Sequence, residues 1–234
     1  MMGRTDSQFR YLIRLISEKT VLFTEMIHSN AILYGNKNKL EEYSENENPI
    51  VLQLGGNDPE SLAKVSKMAN MFNYDEINLN LGCPSPRVSN GGFGAAMMNH
   101  PQLVCDCLNA IKENFNKEVS VKIRLGTDDN DIDETLDNFV KEIESCDIKI
   151  FYVHARKAIL KGLSPKENLR IPKLNYRMVY DIKKANPEIE IIINGAITNT
   201  KDIKQHLNKV DGVMIGRAIY LSLIHISEPT RPRL

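Results

Sequence analysis

The chain has 234 residues, enough for one domain with a substantial core, and its 30 Lys and Arg balance 30 Asp and Glu, so net charge speaks neither for nor against a nucleic-acid partner. Trp is absent and aromatics make up 6% of the residues, no apolar run approaches membrane-spanning length, and no signal peptide opens the chain, which reads as soluble. Cys83, Cys105, Cys107 and Cys146 have no CxxC spacing; Cys105 and Cys107 point away from each other on a helix, so no metal site is expected and all four read as reduced thiols.

In chain order, Phe9, Leu12, Ile13 and Ile16 share a helical face, and Val21–Thr24 is a strand ending at Glu25. Asn36 to Asn48 is polar and charged, without core periodicity, and reads as a surface loop. Ile50–Leu54 is the next strand, and Asp58-Pro59 starts a helix running through Met68 and Met71. The strand that includes Ile77 and Leu79, which fit inward positions, runs into Asn80-Leu81-Gly82-Cys83-Pro84 and a glycine-rich loop read as mobile. A helix from about Pro101 to Phe115 follows, then a strand at Val119–Ile123 and a helix with Leu136, Phe139, Val140 and Ile143. Ile150–Val153 is a strand ending at His154, and a long basic loop leads to a helix around Tyr176–Ala185. Ile191–Ile193, a helix through Ile203 and Leu207, and Val213–Ile215 complete the alternation.

Short, almost wholly apolar strands alternating with helices imply a parallel sheet with helical crossovers. The polar residues choose the architecture. Glu25, Gln53, Asn80 with Cys83, Lys122 with Arg124, His154, Asn194 and Arg217 all fall at or just past the C-terminal ends of strands. Those ends converge in a (β/α)8 TIM barrel, whereas an open doubly wound sheet would gather ligands at one switch point. Such a barrel needs eight strands and the sequence supplies seven, so Met1-Met2-Gly3 reads as the tip after a first strand that the chain lacks.

Asn194-Gly195-Ala196 and Gly216-Arg217 stand where barrels of this kind bind phosphate: glycines leave backbone N–H groups open and an arginine grips an anion with two prongs. Lys122, facing the interior, calls for an anion or an electron-rich ligand; the plainer reading is a lysine whose head reaches the barrel mouth. Gln53 suits the edge of a flat heterocycle, and His154 stands at the next strand tip, where a structural histidine is the commoner case. Together they suggest a planar, phosphate-bearing cofactor across the barrel mouth with Cys83 above it. Between Arg156 and Lys173, six Lys and Arg face only Glu167, which suits a polyanion, although most charge runs are solvated surface.

Four stretches carry a family resemblance: NLNLGCPSPRVSNGGFGA at Asn78–Ala95, VKIRLG at Val121–Gly126, HARKAILKGLSPKEN at His154–Asn168, and DGVMIGRA at Asp211–Ala218. The chain resembles the tRNA-dihydrouridine synthases, and the third stretch resembles their A-type group specifically, over residues 1 to about 220. The resemblance implies a flavoprotein oxidoreductase that uses FMN and NADPH to reduce uridine to 5,6-dihydrouridine in the tRNA D-loop, near position 20 or 20a. It implies cofactor contacts from Met1, Met2, Gly3, Gln53, Lys122, His154, Asn194, Gly195, Ala196, Gly216 and Arg217, with Cys83 as general acid. Substrate RNA would meet Asn80, Arg87, Arg124, Arg156, Lys157, Lys161 and Lys166.

The implied molecule is a tRNA-binding monomer without metal or membrane, in the cytoplasm or an organelle. Gly3-Arg4 and Ala196 depart from the family pattern, Ala196 standing where a second glycine is frequent. Residues 1–220 read as the catalytic barrel without its first strand and its C-terminal helical domain; residues 221–234 follow no family pattern and read as a foreign or disordered tail. Three rivals remain: an FMN barrel acting on a free pyrimidine, an inactive RNA-binding remnant, and a Schiff-base aldolase using Lys122.

Overall fold

A computed structural model describes residues 2–35, 40, 42–43, 45–128 and 132–221. Its centre is one sheet of parallel strands in the order β1 (Leu22–Phe23), β3 (Ile50–Gly55), β4 (Glu76–Leu81), β5 (Glu118–Arg124), β6 (Ile150–His154), β7 (Glu190–Asn194) and β8 (Gly212–Met214). A further short strand, β2 (Ile27–His28), also pairs with β3. Leu22 is opposite Ile50 and Ile27 opposite Leu54, so the first strand spends one more residue than its partner over this span. Thr24 absorbs the difference: its Oγ1 accepts the Gln53 N–H at 3.0 Å where a backbone carbonyl would otherwise serve. The strand expected at Val21–Thr24 therefore continues beyond this irregularity.

Long helices follow the strands: α3 (Pro59–Ala69), α5 (Pro101–Lys112), α6 (Ile132–Ser145), α7 (Tyr176–Ala185) and α8 (Thr200–Leu207), with α1 (Ser7–Ile16) preceding β1. Their starts have local causes. Asp58 accepts the Ser61 N–H with Pro59 in the first turn, and Asn175 and Asn199 likewise accept from Met178 and Asp202. The sequence reading overlooked short α2 (Ser29–Leu33), α4 (Pro86–Asn90) and α9 (Arg217–Leu221).

The apolar core lies between sheet and helices. Ile77, Leu79, Val121, Ile123, Phe151, Val153, Ile191 and Ile193 cluster with Leu62, Val65, Val104, Leu108 and Val140 of the helices. This corrects the inward placing of Ile77 and Leu79: strand alternation turns them to the helix layer and leaves Glu76, Asn78 and Asn80 facing the barrel axis.

Three other expectations change. The glycine-rich loop is compact, with α4 and a 3-10 turn at Gly94–Asn99 that buries Ala95, Met97 and Met98. The stretch read as surface loop at 36–48 contributes to the interior: Leu40 and Glu47 are fully buried, and the Glu47 carboxylate receives Arg10 Nε at 2.5 Å. A carboxylate inside an otherwise polar run looks like surface until its arginine, 37 residues earlier, is known. Finally, Cys105 on α5 is disulfide-bonded to Cys146 just past α6, so only Cys83 and Cys107 are free thiols. Neighbouring helices join cysteines whose spacing in sequence carries no signal. Cys107 is fully buried, and burial pushes its thiol up to about 12.

Among the described residues, the sheet is open between β1 and β8. A turn at residues 2–5 crosses that side: Glu25 Oε1 accepts the N–H groups of Arg4 and Thr5 at 2.9 and 3.2 Å, and the Arg4 guanidinium lies 5.3 Å from the centre of the Tyr220 ring on α9. Glu25, expected on the functional face, is thus engaged in tying down this turn.

Candidate active site

Strand register stacks the inward residues in rows. Gln53, Asn78 and Ser120 form one row; Asn80, Lys122 and Tyr152 form the next; Arg124, His154 and Asn194 form the row nearest the C-terminal ends. Nine strand residues separated by up to 141 positions in sequence therefore line one interior. Gln53 Nε2 donates to Asn78 Oδ1 at 2.9 Å and Gln53 Oε1 accepts from Asn80 Nδ2 at 3.1 Å. Asn80 Oδ1 in turn accepts the N–H groups of Gly82 and Cys83 at 3.2 and 3.0 Å, fixing the turn that carries the thiol.

Cys83 is half-buried and its Sγ lies 3.5 Å from Ser85 Oγ. Gly94 packs under it with φ +66°; a Cβ there would sit 2.4 Å from Val88 Cγ1 and 2.7 Å from the Cys83 carbonyl oxygen. The glycine-rich sequence is thus required for close approach to the cysteine turn.

The row near the mouth is strongly cationic. Lys122 is half-buried, makes no hydrogen bond or ion pair among the described residues, and is pushed down to about 8 by burial and by Arg124, against the opposing pull of a Cys83 thiolate. Burial lowers Arg124 to about 10. His154 is held well below the usual histidine range, first by burial and then by Arg124, Lys122, Arg156 and Arg217. Four cations and no carboxylate are among the groups acting on this imidazole, an electrostatic setting that favours an anion.

Beside it the backbone opens. Gly195 has φ +134°, and a Cβ there would meet Leu174 at 3.0 Å and His154 at 3.1 Å; Ala196 follows with φ +51°. Asn194 Nδ2 donates to the Met214 carbonyl at 2.8 Å, binding the β7 end to β8, and exposed Arg217 begins α9 directly after Gly216.

The family model for dihydrouridine synthase (Dus) matches residues 1–222. The chain belongs to the dihydrouridine synthase family. It is 49% identical over 220 residues to the tRNA-dihydrouridine(20/20a) synthase of Synechocystis, covering 94% of this chain and 66% of that protein. The enzymes of the same name from Escherichia coli K12 and Vibrio parahaemolyticus are 48% and 49% identical, with 94% and 95% of this chain and 64% and 68% of theirs covered. The chain thus spans about two thirds of the length of these curated relatives. A solved 2-naphthoyl-CoA reductase complex with 2-naphthoyl-CoA shares the fold with a TM-score of 0.65 at 9% identity, over 92% of this chain and 46% of that one.

In this dihydrouridine synthase chain the basic loop after β6 is pinned from inside. Asn168 is fully buried; its Oδ1 accepts the Ile159 N–H at 2.8 Å and its Nδ2 donates to the Ile159 carbonyl at 2.9 Å. Arg124 donates to the carbonyls of Gly82, Lys157 and Asn168, and Arg156 donates to that of Pro172. Both arginines are almost fully buried, and their guanidiniums brace the loop from below. Arg87, Lys161 and Lys166 are exposed and Lys157 half-buried on the same side of the sheet. Met2 and Gly3 are exposed in the 2–5 turn, while Met1 and residues 222–234 lie outside the described residues. The reading from sequence missed Asn168, Ser120 and Tyr176, whose hydroxyl donates to the Gly195 carbonyl at 2.5 Å. Only the polar alternation Glu76, Asn78, Asn80 hinted at the interior network.

Proposed function

We propose that the protein is an FMN-dependent oxidoreductase that reduces uridine to 5,6-dihydrouridine in the tRNA D-loop, near position 20 or 20a, with NADPH as reductant. The observation that carries this reading is the free thiol of Cys83 on a turn fixed by Asn80, itself in register with Lys122, unpaired among the described residues, on the neighbouring strand, in a chain whose relatives are named tRNA-dihydrouridine(20/20a) synthases.

The residues fit FMN. Lys122 offers an ammonium with no protein partner among the described residues, and Gln53 and Asn80 each keep an amide N–H for a ring acceptor. Gly195, Ala196, Gly216 and Arg217, with Asn194 setting the strand spacing, would hold the phosphate. His154, neutral and buried, would lie along the ring, and Met2 with Gly3 would border it. When bound and reduced, FMN supplies the hydride for carbon 6 of the uracil. Cys83 gives its proton to carbon 5, a task for a thiol held by a fixed turn. Asn80 positions that turn and meets the pyrimidine. The target base must leave its stack to reach the cavity, and Arg87, Lys157, Lys161 and Lys166 would hold the phosphates around it.

In this reading the catalytic unit is residues 1–220, with 221–234 outside it, acting as a monomer in the cytoplasm or an organelle. The test is NADPH-dependent dihydrouridine formation on unmodified tRNA. Cys83→Ala is expected to slow product formation by about 10²–10⁴-fold while leaving flavin bound. Turnover of free uridine but not tRNA would favour a pyrimidine dehydrogenase instead.

A further inference from the structure

Glu76 is a buried carboxylate that neither the flavin contacts nor the RNA contacts proposed above employ. It opens β4, the strand that ends at the cysteine turn, and is 8% exposed. Its Oε1 accepts from the Ser120 hydroxyl and its Oε2 from the Tyr152 hydroxyl at 3.3 Å. No arginine or lysine pairs with it among the described residues, and burial pushes the carboxyl up to about 7.

From Ser120 a single file of hydrogen bonds climbs to the thiol. Ser120 Oγ accepts from Asn78 Nδ2 at 2.7 Å, Asn78 Oδ1 from Gln53 Nε2 at 2.9 Å, Gln53 Oε1 from Asn80 Nδ2 at 3.1 Å, and Asn80 Oδ1 from the Cys83 N–H at 3.0 Å. Every donor points toward Glu76. The top imposes this direction, because backbone N–H groups can only donate, and at the bottom Glu76 accepts from both the Ser120 and the Tyr152 hydroxyls. Ser120 must then give its one hydrogen to Glu76 and offer a lone pair to Asn78, which fixes which way each of the three amides faces. The free capacity left on Gln53 and Asn80 consequently includes one N–H each.

We propose that Glu76 is a positioning residue that sets, through Ser120, the orientation of the Asn78, Gln53 and Asn80 amides and so the donor pattern offered at the mouth beside Cys83. Without that acceptor the Ser120 hydroxyl can turn to donate toward Asn78, opposing donor to donor and loosening the row from its lower end. The consequence for flavin and pyrimidine binding rests on the proposed function; the ordering of the amides does not.

The test uses the full chain with two readouts. The first is the side-chain amide resonances of Gln53, Asn78 and Asn80, together with the Cys83 backbone amide, in ¹⁵N-resolved NMR of the flavin-free protein. Glu76→Met and Ser120→Ala are expected to shift all four sets, including Asn80, which lies three hydrogen bonds from Ser120. Glu76→Gln, which keeps an acceptor oxygen in place, restores them, and Tyr152→Phe leaves them near wild type. The second readout is FMN affinity, which falls about tenfold in Ser120→Ala and recovers in Glu76→Gln. Shifts confined to Asn78, or unchanged Gln53 and Asn80 signals in both disruptive variants, overturn the proposal. Loss of FMN binding in the wild-type chain would overturn the proposed function instead, with the amide signals still deciding the role of Glu76.

Discussion

Lys122 and Glu76 face the same interior, one a cation and one a carboxylate, and neither has an ion-pair partner among the described residues. The folded state releases the Lys122 proton near pH 8, against 10.5 for the unfolded chain. Below about 8 both states are charged and the penalty for enclosing the ammonium is complete. Between 8 and 10.5 the unfolded chain holds the extra proton, so stability rises with pH. Lys122→Met is expected to stabilise the flavin-free chain at pH 7 by on the order of 2 kcal/mol, to flatten that rise, and to weaken flavin binding. Urea unfolding at pH 7 and pH 10 separates these effects. The sign for Glu76 is opposite: its folded-state value near 7 lies above 4.5, so stability falls as pH climbs from about 4.5 to 7, and Glu76→Gln should remove that slope.

At the scale of elements, positive-φ backbone and close packing gather in the turns after β4 and β7. Gly94→Ala would drive a Cβ into Val88 and the Cys83 carbonyl at a positive φ, and is expected to cost more than about 2 kcal/mol and to alter thiol alkylation at Cys83. Ala196 sits at φ +51°, so Ala196→Gly should raise stability by about 1 kcal/mol, measurable as an upward shift in Tm. That angle gives the physical reason for a glycine where this chain has alanine. Asn168→Ala leaves the Ile159 backbone groups unpartnered and should release the loop at 155–175, seen as new proteolytic cuts there and weaker tRNA binding at unchanged flavin affinity. Strand positions and the residues at strand tips were legible in the sequence because apolar runs and Gly or Pro punctuation are local signals. Asn168, Ser120 and the Arg10–Glu47 pair were not, because each acts across many residues on partners that only the register and loop path bring near. The exclusion of Arg124 and Arg156 from the surface was hidden for the same reason: a basic residue in a loop reads as exposed until the carbonyls that absorb it are located.

The whole molecule is a parallel α/β sheet of the barrel class, open between β1 and β8 among its described residues, with the 2–5 turn reaching from Glu25 to Tyr220 across that side. The apolar core lies outside the sheet, so the interior can be polar and its cations left uncompensated without dissolving the fold. On the proposed function, that interior would receive an anionic planar cofactor under the Cys83 thiol. The most direct measurement is the visible absorbance of the purified wild-type chain after incubation with FMN and removal of free flavin, with Lys122→Met alongside. A perturbed flavin spectrum retained by the wild type and lost or weakened in Lys122→Met is the expected result. A colourless, folded wild-type chain, or equal retention in both proteins, would contradict the account.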